Sequence, residues 1–141
     1  MNKIKNGFSM VELLFVMAIM AALAAIAIPS LSGASNSAIM SSMKSDIQGV
    51  STTLLSEYAN DPDYTNIVGA IGSDVVFADA TGNGLSDTGL LTNKQFSISK
   101  DNVVTIKPTS TSCTQITVTN PTLSTKKVLF NNCTDGKIQV I

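Results

Sequence analysis

The chain has 141 residues, of which 44% are hydrophobic and 13% are charged, and its formal net charge is −1. It contains no histidine, so the commonest general base and transition-metal ligand is missing, which argues against an enzyme. No basic cluster extends beyond Lys126-Lys127. Because nucleic-acid binding needs a basic surface that displaces counterions, no nucleic-acid partner is expected.

The chain begins with a short basic segment that is followed by a long apolar one. Residues 1–7 contain Lys3 and Lys5, and residues 8–28 are apolar apart from Ser9 and Glu12. As a helix, residues 8–28 would be about 30 Å long, which matches the core of a bilayer. The two lysines predict that residues 1–7 stay in the cytoplasm and that the C-terminal part is exported.

Three interpretations of this segment compete. It can be a permanent membrane anchor, or a secretory signal that is cleaved near Ala25-Ile26-Ala27. Neither explains Glu12, because a carboxylate in the middle of a membrane span costs roughly 2.5–3.5 kcal/mol. Glu12 is therefore a functional candidate, unless it lies at the membrane interface where the positive end of the helix dipole favours it.

The third interpretation comes from a family resemblance. The run Gly7-Phe8-Ser9-Met10-Val11-Glu12, after a basic leader and before an apolar stretch that ends at Pro29, resembles the N-terminus of type IV pilins and pseudopilins. The resemblance implies that a prepilin peptidase cuts between Gly7 and Phe8 and that Phe8 is then N-methylated. It also implies that Glu12 and Pro29 serve in assembly.

The resemblance also implies a function and a location. The chain would enter the inner membrane as a single-pass precursor and polymerise, with an inner-membrane assembly platform, into the helical homo-oligomer of an extracellular type IV pilus. The alternatives are a periplasmic pseudopilin of a type II secretion system, or a minor pilin for adhesion or DNA uptake. The expected domains are a leader (1–7), a transmembrane and polymerisation helix (8–35) and a globular head (36–141).

Cleavage would create an ammonium group at Phe8, with a reference pKa of about 7.7–8.0. Glu12 is one helical turn away on the same face. The carboxylate can therefore pair with its own terminus or with that of a neighbouring subunit, and the resemblance favours the neighbour. Pro29 lacks a backbone N–H, so it is expected to kink or locally melt the helix.

The rest of the chain predicts an α+β head. From Ala38, apolar residues recur at helical spacing and predict a helix with one face on a sheet. Val75-Val76-Phe77 is either a strand or a buried anchor. Alternating apolar residues then predict a sheet of four or five antiparallel strands. The helical positions are Ile39, Met43, Ile47, Val50, Leu54 and Tyr58; the strand positions are Phe96, Ile98, Val104, Ile106, Ile116, Val118, Val128, Phe130, Ile138 and Val140.

Two further features of the head carry predictions. Cys113 and Cys133 would form a disulfide in an oxidising compartment, as pilins often do near the C-terminus, although two buried thiols are the alternative. Asp79, Asn83 and Asp87 are weak candidates for a calcium loop of the EF-hand type, but the acidic residue expected at its twelfth position is missing. A glycine-rich turn is the favoured interpretation, and no cofactor is expected.

Overall fold

The computed structural model describes residues 8–86, 91 and 94–141. The chain divides into two compact units, unit 1 (Met1–Ser37) and unit 2 (Ala38–Ile141). Its elements, in chain order, are α1 (Met10–Tyr58), α2 (Tyr64–Ile67), β1 (Val75–Ala78), β2 (Val103–Pro108), β3 (Thr114–Thr119), a 3-10 helix (Pro121–Leu123), β4 (Lys127–Asn131) and β5 (Ile138–Val140). The predicted α+β class is confirmed.

Helix α1 contains Pro29 in its interior and is helical on both sides of it. Of the two effects expected of Pro29, local melting of the helix is therefore wrong, and a kink stays a prediction. A proline removes a single N–H donor, whereas the neighbouring turns keep theirs. Serine hydroxyls also donate to carbonyl oxygens of these turns, from Ser30 to Ala27 at 3.0 Å and from Ser32 to Ile28 at 3.3 Å.

The core of unit 2 lies between one face of α1 and one face of the sheet. The predicted apolar stripe of α1 is confirmed, since four of its members are fully buried and Ile39 and Tyr58 pack against them. Full burial of one such side chain contributes about 1.5–3 kcal/mol. The buried members are Met43, Ile47, Val50 and Leu54 on the helix, which face Phe77, Val104, Ile106, Ile116, Val118 and Val128 on the sheet.

The sheet has five strands in the order β1-β2-β3-β4-β5, and every neighbouring pair is antiparallel. Buried and partly buried side chains alternate along β2 and β3, so one face packs on α1 and the other is partly accessible to water. Gly136 has a φ of +61° in the turn between β4 and β5, a conformation that glycine adopts without strain. These strands correspond to four of the five predicted alternating runs and to the segment that begins at Val75.

The run around Phe96 and Ile98 is not one of the strands, and that prediction is wrong. Both side chains are buried, but the segment makes only an isolated bridge between Leu85 and Ser97. Its backbone hydrogen bonds join Ser86 N to Phe96 O at 2.9 Å and Ile98 N to Gly84 O at 3.1 Å. The two residues are buried from a connecting loop. Their burial alone gives the alternation of apolar and polar residues that resembles a strand.

Candidate functional site

The part of α1 within unit 1 has an apolar surface that nothing in the described chain covers. By length and composition, α1 is the one helix of residues 8–86, 91 and 94–141 that is able to cross a membrane. A helix that is apolar on all sides is stable in lipid or among other protein segments, and is unfavourable in water. The exposed large side chains are Phe8, Met10, Val11, Leu13, Leu14, Phe15, Val16, Met17, Ile19, Met20, Leu23, Ile26, Ile28 and Leu31.

Glu12 lies in the first turn of α1. The backbone N–H groups of Glu12 and Leu13 donate to the carbonyl oxygen of Ser9 at 3.0 and 3.2 Å, so the helix begins directly after Ser9. The partial positive charge at this end favours a carboxylate. The two ion pairs within the described part of the chain join other residues.

Three of the four residues predicted for processing and assembly lie in the described chain. Phe8 precedes α1 and its side chain is 75% exposed, while Glu12 and Pro29 belong to α1 itself. Gly7 and the rest of the predicted leader lie outside the described residues. The spacing of Phe8 and Glu12 permits the predicted pairing of an amine with a carboxylate, and the roles of all four residues stay predictions.

The predicted disulfide is present in unit 2. Cys113 and Cys133 are bonded, with their Cα atoms 5.6 Å apart. Cys113 lies in the turn between β2 and β3, and Cys133 lies in the turn between β4 and β5. Closing a loop of about 20 residues stabilises a fold by about 3 kcal/mol in the chain-entropy model.

Two tyrosines lie at the same end of unit 2 as the disulfide. The rings of Tyr58 and Tyr64 stack with their centroids 4.5 Å apart. Burial raises the pKa of the Tyr64 hydroxyl above its usual value, the hydrogen bond from Asn132 acts in the opposite direction, and the charge of Tyr58 adds to the increase. Asn132 thereby connects the end of α1 with the strand that leads to Cys133.

A buried polar cluster, which we call the Asp46 cluster, joins α1 to two connecting segments. The Asp46 carboxylate accepts hydrogen bonds from Ser99 N at 3.0 Å, Ser99 Oγ at 2.8 Å and Asn102 Nδ2 at 2.7 Å. The same Asn102 amide donates to Ser42 Oγ at 3.2 Å, and its oxygen accepts from Asn120 Nδ2 at 2.7 Å. Such a cluster stabilises a fold when all its polar groups are paired. Sequence reasoning missed it.

The loop proposed for calcium is a turn that is closed by its own carboxylate. Asp79 Oδ1 accepts hydrogen bonds from the backbone N–H groups of Gly82 at 2.6 Å and Asn83 at 3.0 Å, and Asp79 Oδ2 accepts from Gly84 at 2.8 Å. Asp87, the third candidate, lies outside the described residues. No group of three or more His, Cys, Asp or Glu side chains able to hold a metal occurs within the described ranges.

We expect calcium to leave the melting temperature of the protein unchanged. A carboxylate has about four acceptor positions, and the backbone of the turn already occupies three of those of Asp79. The measurement is a thermal melt of the full chain in detergent with millimolar calcium, with magnesium and a chelator as controls. A calcium-specific rise in melting temperature that is lost in Asp79→Ala would contradict this expectation.

Comparison with known proteins adds one finding. Residues 2–28 match the family model described as the prokaryotic N-terminal methylation motif. Neither the curated proteins nor the solved structures contain a match to the chain. The matched segment contains Gly7, Phe8 and Glu12 and ends one residue before Pro29.

Proposed function

Because the N-terminal segment is the prokaryotic N-terminal methylation motif of type IV pilins and pseudopilins, we propose that the chain is a structural subunit of a type IV pilus. In this proposal a prepilin peptidase removes residues 1–7 and the new terminus at Phe8 is methylated. The subunit then leaves the inner membrane and polymerises through α1. In this proposal the work of the chain is assembly instead of catalysis.

The observation that carries the proposal is the apolar surface of α1 in unit 1. Its large side chains, and that of Phe8 just before it, are exposed in the single chain, so in this proposal lipid surrounds them before assembly and copies of the same helix after it. Glu12 is the only charged residue between Phe8 and Lys44. A single carboxylate at the start of such a helix is suited to bind the amino terminus of a neighbouring subunit.

Two features of unit 2 favour a pilus over a secretion pseudopilus. The Cys113–Cys133 disulfide would stabilise the head of a durable extracellular filament. The Asp79 carboxylate is occupied by backbone N–H groups of its own turn, which weakens the calcium-loop feature that would favour a pseudopilin. These observations support the pilus as the first candidate and the pseudopilus as the second.

The test is the N-terminal mass spectrum of the mature chain, taken from cells with and without a prepilin peptidase. We expect the mature chain to begin with N-methylated Phe8, followed by Ser9, Met10, Val11 and Glu12, because Gly7-Phe8 is the cleavage site that the motif predicts. Electron microscopy of sheared cell surfaces and of periplasmic extracts then locates the filaments.

Three outcomes would contradict the proposal. A mature chain that starts near Pro29 is an ordinary secreted protein, and an intact Met1 indicates a permanent membrane anchor. A correctly processed chain that forms no filament in cells containing an assembly platform is not a pilus subunit. Filaments confined to the periplasm would favour the pseudopilus.

A further inference from the structure

We propose that Asn132 is the positioning residue for formation of the Cys113–Cys133 disulfide in the folded head. The inference does not depend on the proposed function, since it concerns only unit 2. It begins from the two turns that carry the cysteines. These turns are joined by hydrogen bonds that do not involve sulfur.

The main connection is between the residues next to the two cysteines. Thr114 N donates to Asn132 Oδ1 at 2.8 Å, and Asn132 N donates to the Thr114 carbonyl oxygen at 3.3 Å. The second bond joins the backbones of the residue pair next to Gln115 and Asn131, where the β3–β4 ladder ends, and the first uses the side-chain oxygen of Asn132. Cys113 directly precedes Thr114 and Cys133 directly follows Asn132, so the antiparallel register of the sheet brings the two cysteines opposite each other.

The amide nitrogen of Asn132 fixes the same turns to the helical layer. Asn132 Nδ2 donates to the Tyr64 hydroxyl at 3.2 Å and to the Ser112 carbonyl oxygen at 3.5 Å. Tyr64 N in turn donates to the carbonyl oxygen of Thr111, in the turn before Cys113, at 2.8 Å. A single side chain thus contacts both cysteine-bearing turns and the buried Tyr64, and it loses these contacts when the chain unfolds.

The chemical step is thiol–disulfide exchange with a disulfide oxidant, such as oxidised glutathione or the disulfide of a protein oxidant. The thiolate of one cysteine attacks the oxidant, forms a mixed disulfide and releases one oxidant thiol. The thiolate of the second cysteine then attacks the sulfur bound to the chain and releases the second oxidant thiol. The two cysteines are oxidised and the oxidant is reduced. The second attack is intramolecular, and Asn132 assists it by holding the two cysteine-bearing turns in alignment.

The experiment measures the equilibrium constant for this disulfide in the full chain in detergent micelles. Reduced chain is equilibrated with mixtures of reduced and oxidised glutathione, quenched by alkylation and counted by mass spectrometry. We expect Asn132→Ala to lower the constant about tenfold, because it removes two or more hydrogen bonds that hold the turns together. In denaturing urea, Asn132→Ala and the wild type should give the same value.

Two control variants make the result specific. Asn66→Ala removes an exposed hydrogen bond to Asp61 elsewhere in unit 2 and should leave the constant unchanged. Asn132→Asp keeps an oxygen for Thr114 N but loses the amide donor, so it should retain a third or more of the wild-type constant. If circular dichroism shows that the alanine variant does not fold, Asn132→Leu, which keeps the side-chain volume but has no polar atom, takes its place with the same expected tenfold loss.

The inference is overturned if Asn132→Ala stays within twofold of the wild type in native buffer, or if its constant falls equally in urea. It is also overturned if Asn132→Asp lowers the constant as far as alanine does, because the bond to Thr114 N would then not position the cysteines. A tenfold loss confined to the folded chain, with rescue by aspartate, supports it.

Discussion

Replacing Glu12 with glutamine should reduce filament yield at least tenfold while leaving membrane insertion intact. In the assembled state proposed above, the carboxylate of one copy neutralises the Phe8 ammonium of its neighbour inside an apolar helix bundle. Removing one member of a buried ion pair costs about 3–5 kcal/mol, because the remaining charge stays desolvated. The measurement compares sheared filaments with membrane-bound precursor by immunoblot and electron microscopy.

The size of this effect also separates the two ways in which Glu12 can pair. A bond to the amino terminus of its own chain would be a surface pair one helical turn apart, which contributes about 0.2–0.5 kcal/mol. Loss of such a pair would change the yield about twofold at most. The controls are Glu12→Asp, which keeps the charge, and Lys44→Ala, which changes an exposed residue of the same helix outside unit 1. Normal filaments from both Glu12→Gln and Glu12→Ala would refute the assembly role.

Replacing Asp46 with alanine should lower the free energy of unfolding of unit 2 by about 3 kcal/mol. The substitution removes three hydrogen bonds and leaves the Asn102 amide, which is 1% exposed, with an unpaired donor. A hydrogen bond to a charged group contributes about 1.5–3 kcal/mol, and an unsatisfied buried group adds about 1–3 kcal/mol. Thermal melts of the full chain in detergent should show a decrease in melting temperature of about 14 °C.

The matched control for Asp46→Ala is Lys44→Ala, two residues earlier on the exposed face of the same helix. Exposed substitutions away from special features usually stay within about 0.5 kcal/mol of the wild type. Asp46→Asn should fall between the two variants, because it keeps one acceptor oxygen. A melting temperature for Asp46→Ala close to that of Lys44→Ala would show that the Asp46 cluster contributes little to stability.

The helices and strands could be predicted from the sequence where apolar residues recur with a clear helical or strand period. The stripe that contains Ile47 and Leu54, and the alternation in β2 and β3, follow directly from burying one face of each element. The failures have specific causes. Ile98 is buried from a loop, so it mimics a strand without a neighbouring ladder. Pro29 removes one donor from a helix of 49 residues, and the remaining hydrogen bonds maintain the helix around it.

The candidate sites also divide into those that the sequence reveals and those that it does not. Glu12 is visible in the sequence because a charge is conspicuous in an apolar run. Asp46 and Asn132 lie in polar stretches, where a solvated side chain and a buried one look alike. Their partners are also distant in the chain, since Asp46 binds residues 53 and 56 positions away and Asn132 binds one 68 positions away. Only the three-dimensional arrangement brings these groups together.

The serine hydroxyls of α1 alter how its unit 1 surface interacts with lipid and with other helices. Ser30, Ser32 and Ser37 each donate their proton to a backbone carbonyl of the same helix. A hydroxyl used in this way offers no donor to an adjacent molecule. The segment after Pro29 should therefore partition into hydrocarbon more readily than its serine content suggests, and transfer scales measured on free hydroxyls would underestimate how deeply it inserts.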